Sequence, residues 1–267
     1  MKIRLDKALV ERGLAGSRER AQALILAGRV MVGEQKVEKP GTAVVEDAAL
    51  RVIGEDLKYV SRGGLKLERA LELWGISLAG RACVDVGAST GGFTDCMLQN
   101  GAASVLALDT GYGQIAHKLR VDARVRLMER CNARLLGPAA LSGVRSTLSD
   151  ESGNVEWEIS FLAMDVSFIS ATLVLPAVLR ALVREGETWR GEAVVLIKPQ
   201  FEAGREYVGK GGIVREQAGQ DIAIERVMEC VAELGGTEVE VIDSPITGME
   251  GNREYLLHTR FGEGAKA

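Results

Sequence analysis

Hydrophobic positions along the chain change their period near residue 80. Leu5, Leu9 and Val10 recur at helical spacing, and Gly13 ends that helix. Ser17 is placed to cap a second helix whose buried stripe is Ala21, Leu24 and Ile25, with Gly28 as its C-terminal stop. Val30-Met31-Val32, a Gly33-Glu34 turn and Lys36-Val37 then read as a small hairpin. From Arg81 onward short apolar runs alternate with helical stretches. Strands are expected at 82–86, 104–108, 125–128, 159–164, 193–197 and 239–242. Helices are expected from the glycine turn to Asn100, over Ala171–Arg184 and over Gln217–Leu234. Such alternation predicts an α/β layered domain with a largely parallel sheet.

The two regions also differ in charge. The whole chain carries 33 basic and 37 acidic side chains, but residues 1–69 sum to +4 and residues 70–267 to −8. A basic head on an acidic body points to two units with different partners. Glycine is in excess, 32 of 267 residues beside 5 prolines, which favours tight ligand-cradling turns over low complexity. No run of about 20 apolar residues is present. The best stretch, Leu173 to Val183, contains Pro176 and Arg180 and reads as a packed helix. The first residues hold no apolar signal core, so a cytoplasmic protein is expected. Cys83, Cys96, Cys131 and Cys230 are far apart and form no CxxC pair, and His117 and His258 lack ligand spacing. Free thiols and no metal site are the expectation.

Two constellations carry the chemistry. In the head, Arg4-Leu5-Asp6-x-x-Leu9, Ser17-Arg18-x-x-Ala21-x-x-Leu24-Ile25-x-x-Gly28-x-Val30-x-Val32 and Lys39-Pro40-Gly41 together resemble the RNA-binding module named after small-subunit ribosomal protein four. That resemblance implies a small α+β domain over residues 1–60, ending in a short linker, that binds structured RNA through Arg4, Arg18, Arg20 and Arg29. From charge alone Arg18, Arg20 and Arg29 read rather as a solvated helix surface. In the body, Asp85-Val86-Gly87-Ala88-Ser89-Thr90-Gly91-Gly92-Phe93 follows the first strand. Its glycine spacing is not GxGxxG, which argues against a dinucleotide enzyme. Asp109 ends the second strand about twenty residues on, where a carboxylate accepts ribose hydroxyl bonds.

With Thr94 added, the loop resembles the cofactor loop of the ribose 2′-O-methyltransferases related to the heat-shock rRNA methyltransferase. Nearly the whole chain resembles the TlyA family of bacterial rRNA cytidine 2′-O-methyltransferases, historically labelled haemolysins. Further blocks carrying that likeness are Tyr59–Leu67, Ala107–Gln114, Ala163–Ser170, Leu196–Glu202 and Gly251–Glu254. The resemblance implies a Rossmann-like class I methyltransferase domain over residues 61–267, S-adenosylmethionine as cofactor, and rRNA within a ribosomal subunit as partner. Its Lys-Asp-Lys-Glu tetrad falls on Lys66, Asp165, Lys198 and Glu254. A ribose hydroxyl is a poor nucleophile until its proton is removed, and a lysine serves only when its surroundings favour the neutral amine. Lys198 is the expected base and Asp165 its holder, with Lys66 and Glu254 positioning the ribose. Around the cofactor the likeness places Asp85, Gly87, Ser89, Thr90, Gly91, Gly92, Phe93, Asp109, Asn132 and Asp165, with Arg62 on the RNA side.

The same residues admit other readings. A pore-forming haemolysin lacks an insertion segment. A pseudouridine synthase needs its Arg-Leu-Asp in a separate domain, whereas Arg4-Leu5-Asp6 lies inside the RNA module. A non-catalytic RNA-binding or assembly factor stays open. The basic run Lys118, Arg120, Arg124, Arg126, Arg130 and Arg134 reads as an RNA track or a solvated face. Gly204 to Gly212 reads as a mobile loop beside Lys198, and the segment near Asp56 to Ser61 as a tether or switch. The sequence assigns no oligomeric state, and a monomer fits it.

Overall fold

The structure, a computed structural model, describes residues 2–53, 58–137, 140–141, 158–183, 187–248 and 251–262. The chain divides into two compact units, Met1–Asp56 and Leu57–Ala267. Of the expected linker, Asp56 to Ser61, the first two residues lie outside the described residues, whereas Tyr59 and Val60 pack in the second unit, on Glu68 and Asp95.

In the first unit α1 (Leu5–Glu11) and α2 (Arg18–Leu26) form where the apolar spacing predicts them. Ser17 Oγ accepts the Arg20 backbone N–H at 3.2 Å, and Gly13 and Gly28 take the left-handed φ of helix stops. Strand β1 (Lys2–Arg4) pairs antiparallel with β4 (Ala43–Val45). The expected hairpin is β2 (Val30–Val32) with β3 (Gln35–Lys36), and β5 (Leu50–Val52) joins β2 on its other side. Leu5, Leu9, Leu24, Ile25 and Val30 close a separate small core. The sequence reading missed β1, β4 and β5, because three-residue strands carry almost no periodicity.

The second unit begins with α3 (Gly63–Leu73) and is built on one seven-stranded sheet. Its strands are β6 (Ala82–Val86), β7 (Ser104–Leu108), β8 (Val125–Met128), β9 (Ile159–Met164), β10 (Gly191–Ile197), β11 (Gly236–Asp243) and β12 (Tyr255–Phe261). Their order is β11-β12-β10-β9-β6-β7-β8. The five from β10 to β8 run parallel, and β12 is antiparallel to both β10 and β11. Val84, Val86, Leu106, Leu162 and Val195 face one apolar layer, while Cys83, Val105, Phe161, Ala163 and Val194 face the other. Burial of both faces explains why these strands read as continuous apolar runs. Strand β12 was not foreseen. Its position between β10 and β11 brings its first residues to the sheet edge where the parallel strands end.

Helix α4 (Gly92–Gln99) follows β6, and the single turn α5 (His117–Arg120) follows β7. Helix α6 (Ala171–Ala181) follows β9, α7 (Pro199–Glu202) follows β10, and α8 (Gln217–Glu233) precedes β11. Pro176 sits inside α6 without ending it. Arg184, the expected end of that helix, lies outside the described residues. Among the described residues no helix is long and apolar enough to cross a membrane.

Candidate functional site

Adjacent parallel strands deliver their C-terminal residues to one edge of a sheet, and ligands of open α/β sheets bind there. Gly87 follows β6, Asp109 follows β7, Asp165 follows β9 and Lys198 follows β10. Because β12 runs the other way, in register Ile197 with Tyr255, its entry residue Glu254 arrives at the same edge. Lys66 comes from α3. The result is a linked chain of charges. Lys66 Nζ donates to Glu254 Oε2 at 2.5 Å and lies 3.9 Å from Asp165 Oδ2, while Lys198 Nζ lies 2.5 Å from Asp165 Oδ1. Lys198 also donates to Ser167 Oγ at 2.7 Å.

Lys66, Lys198 and Glu254 are 7%, 8% and 4% exposed, so three of the four charges are nearly withdrawn from water. Two ammonium groups and two carboxylates balance formally, which is what allows such a cluster to be buried. Read singly, Lys66, Lys198 and Glu254 looked like surface charges. The fold buries all three.

Two clefts meet at this cluster. One, of about 350 Å³, is lined by Arg62, Lys66, Thr90, Asp165, Lys198 and Glu254 among others. The second, of about 540 Å³, is lined by Asp109, Asn132, Val166, Phe168, Ile169 and Val174 among others. Gly87, Ser89, Asp165 and Ser167 border both. A side chain at Gly87, which has φ +90, would collide with the Asp165 carbonyl oxygen, so only glycine keeps the loop against the end of β9. Gly91, with φ +94, opens α4, and Gly92 packs on Ser61 and Gly64 at the start of α3.

The second cleft fits S-adenosylmethionine. Asp109 Oδ2 accepts the Ser89 N–H at 2.7 Å and Oδ1 the Gly111 N–H at 2.6 Å. Each oxygen retains a lone pair for a ribose hydroxyl. Asn132 caps the turn at Ala133–Leu135 through the Arg134 N–H, 3.2 Å away, and lines the cleft as well. This asparagine thus forms the turn and borders the cleft at once.

Asp85 is a correction to the expected cofactor set. Its carboxylate is fully buried beneath the loop, accepts the Thr94 N–H at 2.9 Å and hydroxyl at 2.6 Å, and borders neither cleft. Burial pushes its pKa up to about 7, against the Thr94 hydrogen bonds and with help from the Asp165 charge. A raised folded-state pKa means that the folded protein holds this proton more tightly. The Asp85 contribution to stability is therefore full below pH 4 and is lost as pH rises through 7. Asp85→Asn keeps an oxygen for Thr94 but removes the titration. Its melting temperature relative to the parent, measured without cofactor, is expected to rise between pH 5 and pH 8, by the equivalent of a few kcal/mol. An unchanged difference across that range would place the titration elsewhere.

The remaining expectations divide. In the first unit Arg4 and Arg18 converge on the buried Asp6, which accepts Arg4 Nε at 3.1 Å, Arg4 Nη2 at 2.9 Å, Arg18 Nε at 3.1 Å and Gln22 Nε2 at 3.0 Å. These partners hold the Asp6 carboxyl far below the usual range. Arg20 lies in the first turn of α2, and Arg29 donates to the Ile53 carbonyl at 2.9 Å. Half of the basic run of the second unit is paired with carboxylates. Lys118 pairs with Asp95, Arg120 with Glu129 and Arg124 with Asp122, and Arg130 stacks over Tyr112 at 4.4 Å. The Gly204–Gly212 loop is tied down by Asn252, which donates to the Gly212 carbonyl at 3.0 Å and accepts the Val214 N–H at 3.1 Å.

The sequence does not single out Ser167 or Phe168, although both lie in the Ala163–Ser170 block. Phe168 is 89% exposed, has a left-handed φ of +64, and meets Phe201 with ring centroids 5.5 Å apart. A large aromatic in that conformation is strained and turned outward.

Comparison with known proteins agrees with this architecture. Residues 59–261 match the FtsJ-like methyltransferase family and residues 3–49 the S4 domain. The chain is 43% identical over 260 residues to the 16S/23S rRNA (cytidine-2′-O)-methyltransferase TlyA of Mycobacterium tuberculosis, covering 97% of this chain and 90% of that one. It is 40% identical to Hemolysin A of Brachyspira hyodysenteriae, over 96% and 99% of the two chains. A solved structure from Streptococcus thermophilus, described under the hemolysin name, superposes with a TM-score of 0.70 at 41% identity, over 98% of this chain and 90% of that chain. The chain belongs to the TlyA-like branch of the FtsJ-like methyltransferases, and is an S-adenosylmethionine-dependent methyltransferase with an S4 domain ahead of its catalytic domain.

Proposed function

We propose that the protein methylates the 2′-hydroxyl of a cytidine ribose in rRNA presented by a ribosomal subunit. The observation that carries this reading is the buried Glu254–Lys66–Asp165–Lys198 chain at the junction of two clefts. One cleft suits the cofactor, and the other leads to the tetrad from outside. S-adenosylmethionine supplies an electrophilic methyl group. Gly87, Ser89, Thr90, Gly91, Gly92 and Phe93 shape the loop against its methionine end, Asp109 takes its ribose and Asn132 its base. Lys198 accepts the hydroxyl proton of the RNA ribose. Asp165 holds the lysine in place, and the Lys66–Glu254 pair orients the ribose, so that much of the acceleration comes from placement. Cytidine and rRNA enter through the activity named for the TlyA relative.

The first unit supplies RNA affinity. Asp6 fixes the Arg4 and Arg18 head groups, and Arg20 and Arg29 extend the basic face. Such contacts hold phosphates without reading sequence. Arg62 borders the acceptor cleft and meets the RNA there. Phe168 offers an exposed ring on the rim of the cofactor cleft, one residue after Ser167, suited to stack a base lifted out of the RNA.

The test uses tritiated S-adenosylmethionine with separately isolated, unmodified large and small bacterial ribosomal subunits. Label in rRNA, resistant to alkaline cleavage at one linkage, is the expected result. Absence of label on both subunits, with cofactor binding demonstrated, would leave an RNA-binding factor. In the same assay Phe168→Ala is expected to raise KM for the subunit or lower turnover by about 5–100-fold, the equivalent of one stacked base at ~1–3 kcal/mol. Unchanged kinetics would remove the stacking role.

A further inference from the structure

A lysine that takes a proton from a substrate must first present a lone pair to it, so the orientation of its amine matters as much as its charge. A neutral amine has two N–H bonds and one lone pair around its nitrogen. Two fixed acceptors on the protein therefore determine where the lone pair points. The surroundings of Lys198 provide two such groups. Ser167 Oγ accepts a hydrogen bond from Nζ at 2.7 Å, and Asp165 Oδ1 lies 2.5 Å from the same nitrogen. Both groups come from the loop that follows β9, and Lys198 ends the neighbouring strand β10.

Asp165 is shared, since its other oxygen faces Lys66 at 3.9 Å. Its charge therefore acts on both lysines and does not by itself orient either. Ser167 Oγ is the other acceptor at Lys198, and it takes its hydrogen bond from that lysine. Ser167 borders the cofactor cleft and the acceptor cleft alike, so its hydroxyl stands at the boundary that the methyl group has to cross.

The Ser167 loop is itself held. Glu202, buried to 2% exposure, accepts the Ser170 hydroxyl at 2.5 Å and the Ala171 N–H at 2.7 Å. Glu202 lies four residues after Lys198, so the two segments are joined after the contact by Glu202 and before it by the β9–β10 pairing.

We propose that Ser167 is a positioning residue for methyl transfer, fixing the rotation of the Lys198 amine so that its third direction faces the ribose hydroxyl in the acceptor cleft. This inference rests on the proposed role of Lys198 as the base. The proton passes from the ribose hydroxyl to the Lys198 nitrogen, the oxygen–methyl bond forms as the sulfur–methyl bond breaks, and S-adenosylhomocysteine leaves with the electron pair on sulfur. Ser167 exchanges no proton with the substrate.

The test compares the parent with Ser167→Ala, Ser167→Thr and Lys198→Ala in the full chain. The measurements are single-turnover methylation of unmodified ribosomal subunits and calorimetric affinity for S-adenosylmethionine. Ser167→Ala is expected to slow transfer by about 10–100-fold, the scale of a misplaced catalytic group. Cofactor affinity and subunit KM should stay within about twofold, the scale of a surface change in which no bound group is lost. Ser167→Thr keeps the hydroxyl and should recover most of the rate. A Ser167→Ala rate within about twofold of the parent while Lys198→Ala is inactive would overturn the positioning role alone. A loss of cofactor affinity matching the loss of rate would also overturn it, by making Ser167 a wall of the cofactor cleft. Full activity in Lys198→Ala would remove the base, and Ser167's role with it.

Discussion

Lys198→Ala is expected to lower methyl transfer by about 10²–10⁴-fold, the range typical of a lost general base. The fold should survive the change. Asp165, the partner left behind, is 21% exposed at its side chain and still has Lys66 at 3.9 Å, so its charge is not stranded in an apolar interior. Cofactor affinity should also hold, because Lys198 does not line the cleft that holds Asp109 and Asn132. Lys198→Arg separates two roles that alanine confuses. A guanidinium keeps the positive charge beside Asp165 but does not give up its proton near neutral pH. If Lys198 acts only as a charge, arginine should retain most of the rate. If it takes the proton, arginine should be nearly as slow as alanine. Label incorporation into ribosomal subunits, with a melting curve and a cofactor titration for each variant, distinguishes the outcomes. A rate within tenfold of the parent for alanine would end the assignment of Lys198 as base.

Glu254→Ala carries the largest expected effect on stability. It removes the 2.5 Å partner of an ammonium group that is only 7% exposed, and the nearest remaining carboxylate oxygen is 3.9 Å away. Breaking a buried pair from one side typically costs about 3–5 kcal/mol. For a domain of this size that corresponds to a fall in melting temperature of roughly 6–20 °C. Replacing both partners together, Lys66→Met with Glu254→Leu, should return much of the stability, since neither charge is then left unpaired. Activity should stay lost in the double variant, because the groups proposed to orient the ribose are gone. A thermal scan of both variants checks the first claim and the methylation assay the second. An unaltered melting temperature for Glu254→Ala would mean that water reaches Lys66 and that the pair contributes little.

How much of this was legible beforehand depends on the range over which each feature is decided. Both helices of the first unit, with Ser17 as cap and Gly13 and Gly28 as stops, follow from apolar spacing and backbone preference within a dozen residues. So do the buried strands of the second unit and the glycine turn after β6. The four tetrad residues were identified through family blocks, since each alone looked like a solvated charge or a cap. Asp85 and Asp109 show the limit from the other side. Both are acids at or near strand ends, yet one is sealed under the loop on Thr94 and the other opens to a cleft.

What the sequence by itself determined is the longer helices and the buried strands of the parallel sheet, the two-unit order and the identity of the charged residues. What only the tertiary structure decided is which of those residues meet. Lys66 and Glu254 are 188 positions apart and join because β12 inserts antiparallel beside β10, returning its first residue to the edge where the parallel strands end. The basic run from Lys118 to Arg134 lost three of its charges to Asp95, Glu129 and Asp122 for the same kind of reason. Backbone dihedral preferences and apolar periods act between near neighbours, so a sequence displays them directly. Ion pairs and burial depend on strand order and on the direction of each strand in the sheet, and those are settled only when the whole core packs.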